Sequence, residues 1–97
     1  MMQVVICQPM NGKTEGEIRE EREPVIKRLL KDGYEIISTI FPDFISKGNV
    51  PVKYLAKSIE CISDADCVYF MEGWQDARGC RVEHQVCKEY GIEILKD

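Results

Sequence analysis

The sequence predicts an α/β fold: a four-stranded parallel sheet with helices on both faces. Three observations carry that prediction. Short β-branched apolar runs alternate with amphipathic stretches of helical period, in the order β-α-β-α-β-α-β. The apolar runs do not alternate with polar residues, as strands covered on both sides require. Each of the first three strands is followed by a helix long enough for a right-handed crossover, which makes successive strands parallel and lays the helices over the sheet.

The first strand is QVVIC, residues 3–7, ended by Pro9. The turn QPMNGK contains Pro9 and Asn11-Gly12, and Thr14-x-x-Glu17 supplies a capping box for the helix that follows. Ile18, Val25, Ile26, Leu29 and Leu30 recur at helical spacing, and Gly33 stands where a C-terminal stop belongs. Pro24 falls inside this pattern and removes one backbone donor, so a kink, or a break with a fresh start at Pro24, is expected. YEIISTIF, 34–41, returns to strand character.

PDFISKGNVPV, 42–52, is read as the longest loop; Phe41, Phe44, Ile45 and Val50 make it apolar enough to cover a pocket or a subunit contact. Tyr54, Leu55, Ser58, Ile59 and Ile62 mark a second helix ending near SDAD, CVYFM (67–71) a third strand, and IEIL (92–95) a fourth. Between these last two strands lies GWQDARGCRVEHQVCKEYG, a helix expected to begin near Asp76 or Ala77 with Val82, Val86 and Tyr90 in its apolar pattern. The layout is that of a flavodoxin- or Rossmann-like three-layer sandwich, in which ligands bind off the carboxyl ends of the strands. Three loops should meet there: Gln8 to Lys13, Pro42 to Val50, and Met71 to Arg78. Asp64 and Asp66 lie at the opposite end of the third strand.

Composition limits the partners. With 97 residues the chain is one domain, 1–97. A net charge of −4 with no Lys/Arg block leaves no footprint for a nucleic-acid polymer or an anionic membrane. No apolar run is long enough to cross a bilayer, and the start of the chain lacks the features of a signal peptide. The five cysteines form no CxxC pair and the single histidine leaves a metal site short of ligands, so neither a metal nor another cofactor is expected. Odd in number and set in apolar elements, they fit reduced thiols in a cytoplasm.

The last helix holds the chemistry. Helical side chains lean toward the N-terminus, so Glu83 lies over Gly79 and Cys80, and the missing side chain at Gly79 leaves its carboxylate open space that a larger residue would fill. His84 is rotated roughly 100° about the axis and is read as reaching a rim, a subunit contact or solvent. The first free N–H groups of the helix, with Arg78, offer a place for a phosphate or hydroxyl.

GWQDARGCRVEH (73–84) and CQPMNGK (7–13), with the intervening elements in the same order, resemble a domain family of unknown function within the nucleoside 2-deoxyribosyltransferase-like superfamily. Members carry a Gly-Pro-Met or Gln-Pro-Met turn after a strand and a later Gly-Trp … Gly-x-x-x-Glu-His element. The resemblance implies that Glu83 is a nucleophile attacking the anomeric carbon of a nucleoside or nucleotide, with Gly79 giving it room. It further implies that Gln8, Met10, Asn11 and Gly12 line the substrate, that Trp74 walls the pocket, and that copies of the chain complete one another's sites in a homo-oligomer. The chain departs from the transferases at Ala77, where they commonly place an aspartate; Asp76 is one position away, and no residue matches the acid that assists the departing base. The same cavity could therefore also capture a nucleotide-derived ligand without turning it over.

Overall fold

The computed structural model describes residues 1–41 and 48–96; Phe44 and Ile45, expected to cover a pocket or contact, lie outside the described residues. Four parallel strands form one sheet in the order β2-β1-β3-β4: β1 (Gln3–Cys7), β2 (Glu35–Ile37), β3 (Cys67–Phe70) and β4 (Glu93–Lys96). Three α-helices join them, α1 (Glu15–Lys31), α2 (Val50–Asp64) and α3 (Arg78–Tyr90), with a 3-10 turn at Trp74–Asp76 ahead of α3.

Alternation along β1 divides the core in two. Val4 and Ile6 pack with Val25 and Leu29 of α1 on one face. Val5 and Cys7 pack with Ile62 of α2 and with Cys80 and Cys87 of α3 on the other. The chain moves one way along the sheet from β1 to β2, then back past β1 to β3 and on to β4. Right-handed crossovers in opposite directions land on opposite faces, which separates α1 from α2 and α3. The reversal falls between β1 and β3 and opens a crevice at their carboxyl ends.

α1 begins as its sequence implies. Thr14 Oγ1 accepts from the Glu17 N–H (3.1 Å), and the Glu17 carboxylate accepts from the Thr14 N–H (2.9 Å). It ends on Gly33 at φ +91°, where the Tyr34 N–H donates to the Leu29 carbonyl (3.0 Å) and the Gly33 N–H to that of Leu30 (3.0 Å). The expected break at Pro24 does not occur: the helix is continuous from Glu15 to Lys31. Glu20 and Pro24 are both exposed, so the carbonyl that proline leaves without a donor faces water.

Two boundaries and one helix face also differ from expectation. β2 stops at Ile37 rather than running to Phe41, because Thr39 Oγ1, not a strand amide, donates to the Ile6 carbonyl (3.1 Å). α2 starts at Val50, within the expected loop, because Asn49 Oδ1 caps the Val52 N–H (3.1 Å) and Pro51 sits in the first turn, where no donor is needed. In α3 the buried face is Cys80, Glu83 and Cys87, while Val82 and Tyr90 are exposed. Small thiols let the helix lie close against β1 and β3, and that closeness carries a glutamate inward. Among the described residues no helix is long and apolar enough to cross a membrane.

Candidate functional site

A cavity of about 840 Å³ occupies the crevice at the carboxyl edge. Cys7 and Gln8 form its floor at the end of β1; Met10, Asn11, Glu15 and Ile18 form the wall on the α1 side. The opposite wall is Thr39 to Phe41 together with Tyr54, Leu55 and Ser58 of α2. The third side is Asp76 to Cys80, Val82 and Glu83. The volume lies in the ordinary range for small-ligand pockets, ~300–1,000 Å³.

Glu83 is the buried acid of this cavity, 7% exposed. It sits there because Cys80, Glu83 and Cys87 share the inward stripe of α3 at spacings of three and four. Burial pushes its carboxyl from the ordinary 4.5 up to about 7; a hydrogen bond from Cys7 and the positive charge of Arg22 act the other way. The neighbouring thiols stay protonated. Burial and the Glu83 charge raise Cys7 well above its usual range, Cys80 to about 12 and Cys87 to about 11. Near neutrality these three cysteines are thus thiols, while the buried Glu83 carboxyl is partly ionised.

The start of α3 supplies a second kind of group. Ala77 stands at the N-cap and has no side-chain acceptor, so the first turn faces the cavity without a side-chain cap. Arg78 is the first helical residue and is exposed at the cavity edge. Gly79 has room beside it: a methyl there would meet only Leu55 Cδ1, at 3.9 Å. Asp76, in the 3-10 turn, lines the cavity next to Ala77.

Of the residues expected from the sequence, Gln8, Met10, Asn11, Arg78, Gly79 and Glu83 line one cavity, and two do not. Gly12, at φ +78°, serves the turn closed by the Lys13 N–H on the Met10 carbonyl (3.2 Å). Trp74 is drawn into the core, where it tilts against Phe70 at 5.4 Å between ring centroids and stacks on His84 at 4.1 Å and 16°. The 3-10 turn tucks the indole under α3 rather than over the pocket. His84 is accordingly half-buried, with its ring against Phe70 and Trp74.

Gln8 also differs in kind from the expectation. Its amide nitrogen donates to the Ile18 carbonyl (3.0 Å) and to Glu21 (3.2 Å), while its oxygen accepts from Arg22 (2.9 Å). Both of its donors are thus engaged within the protein.

Sequence reasoning missed Arg22, which is 1% exposed on the inward face of α1. Its signal was present: Arg22 stands four residues after Ile18 and three before Val25, on the apolar seam itself. Thr39 carries no spacing signature, and the spacing of Tyr54 marked it only as part of the second helix. Among the described residues no three His, Cys, Asp or Glu side chains come together as a metal site.

Residues 2–96 match the model of a family described as a domain of unknown function, DUF4406. No curated protein matches the sequence.

Proposed function

We propose, for a chain that belongs to the DUF4406 family, that the cavity takes a nucleoside or nucleotide and that Glu83 cleaves or transfers at its N-glycosidic bond. The observation that carries this reading is a buried carboxylate set in the wall of a sugar-sized crevice at the sheet's switch point. In the first step a Glu83 oxygen bonds to the anomeric carbon, and the carbon–nitrogen bond breaks with its electron pair going to the base, which takes up a proton from water at the cavity mouth. Water or a second base then displaces Glu83 from the sugar and restores the carboxylate. The uncapped start of α3 and Arg78 suit a phosphate or hydroxyl of the substrate. Ile40, Leu55 and Val82 offer apolar surface for a base.

Only the ionised carboxylate attacks, so the rate rises with pH through about 7 and levels above it. The test is base release from nucleosides, deoxynucleosides and their monophosphates, followed by chromatography with the wild type and Glu83→Gln. Release by the wild type that the substitution abolishes supports the reaction; undiminished release in the variant refutes it. Binding without release, weakened by Arg78→Ala, supports the second reading, capture without turnover, which the absence of an acid at Ala77 favours. The reading also carries a homo-oligomer: Val50 and Val52 are 42% and 56% exposed and Val82 44%, all beside the cavity. Light scattering that shows only a monomer, unchanged by Val52→Asp, would remove that part.

A further inference from the structure

Arg22 carries a positive charge into the interior with no carboxylate among the described residues within ion-pairing distance. Its Nε donates to Gln8 Oε1 (2.9 Å) and its Nη1 to Thr39 Oγ1 (3.1 Å), while Nη2 is buried without a partner. Arg22 lies behind the cavity wall, whereas Gln8 and Thr39 form part of it. A guanidinium only donates, so it fixes the Gln8 oxygen toward itself and turns the amide nitrogen to Ile18 and Glu21. Thr39 is held in turn: its hydroxyl donates to the Ile6 carbonyl (3.1 Å), and its own carbonyl accepts from Tyr54 of α2 (2.8 Å). One side chain of α1 thereby ties the end of β1, the end of β2 and α2 into a single frame.

A desolvated cation is costly unless something offsets it, and neutral amide and hydroxyl partners do so only in part. Glu83 is the other charged residue buried in this region. Besides burial, the groups that act on it are Cys7 from β1 and Arg22 from α1, and Arg22 is the cation of the two; the Glu83 charge in turn raises Tyr54 of α2 and Cys80 and Cys87 of its own helix.

We propose that Arg22 is the positioning residue of this site: from behind the wall it locks Gln8 and Thr39 in place and supplies the buried positive charge that favours ionised Glu83. The inference deepens the reading of Glu83 as the reacting carboxylate, and its test needs no substrate. The Glu83 side-chain carboxyl is followed by carbon-13 NMR through a pH titration of the ligand-free protein. In the wild type the midpoint lies at about 7. In Arg22→Met, which keeps the length and loses the charge, the proton affinity of Glu83 rises roughly tenfold. In Arg22→Lys, which keeps the charge and loses the fork, most of that rise is reversed. A folded Arg22→Met whose Glu83 midpoint does not move overturns the proposal, as does a lysine variant indistinguishable from methionine. Should Arg22→Met not fold at pH 8, adding Glu83→Gln restores folding if the lost charge is the cause; failure to restore it assigns Arg22 a purely structural role and overturns the proposal. A moved midpoint in a protein that releases no base leaves this inference standing and removes the proposed reaction.

Discussion

Replacing Glu83 by glutamine should stabilise the protein at alkaline pH. A carboxyl that ionises at 4.5 in the unfolded chain and at about 7 in the native cavity is a liability once deprotonated. Between those values the native state holds a proton that the unfolded chain has released, so stability falls as pH rises through the interval and stays low above it. At ~1.4 kcal/mol per pH unit the full loss is about 3 kcal/mol. Glutamine has nearly the same shape and no charge, so its curve lacks this slope while every other titration is shared. Urea unfolding of both proteins between pH 4 and pH 8 should show the variant gaining about 3 kcal/mol relative to the wild type across the range. With an m-value of ~1–3 kcal/mol/M for a domain of this size, that is a relative midpoint shift of roughly 1–3 M. A gap that stays constant with pH would mean that Glu83 is not desolvated in solution. The burial on which the site reading depends would then be wrong.

Further outcomes follow from the same contacts. Gly79→Ala should fold normally and be more stable by at most ~1 kcal/mol, since the new methyl meets only Leu55 at 3.9 Å and glycine is a poor helix former; Gly79→Leu should narrow the cavity and weaken nucleoside binding measured by calorimetry. Tyr54→Phe removes the 2.8 Å donation to the Thr39 carbonyl and should cost about 1 kcal/mol in chemical unfolding. Iodoacetamide on the native protein should modify Cys61 first, because Cys7, Cys67, Cys80 and Cys87 are buried, whereas the unfolded chain should take up five adducts by mass spectrometry. Early labelling at Cys80 or Cys87 would show that α3 opens readily from the sheet.

The fold was legible because its signals are local. Unbroken apolar runs at QVVIC and CVYF, a capping box at Thr14, and a glycine after the last turn of α1 each act within a few residues, and together they leave few topologies open. The end of β2 was decided by a contact distant in sequence, since Thr39 reaches the carbonyl of Ile6. At Pro24 the sequence left a kink or a break open, and the helix does not break because an exposed side tolerates the missing donor.

By itself the sequence determined that strands and helices alternate, that the sheet is parallel, and that Glu83 stands one turn inside the last helix over a residue without a side chain. Tertiary structure alone decided that the cysteine stripe, not the valines, faces the sheet, that Trp74 goes into the core, and that Arg22 lies behind the cavity. The physical reason is that secondary structure follows from periodicity and turn chemistry along the chain. The depth of a charge in the protein, and which opposite charge it feels there, depends on which layers meet over the end of β1.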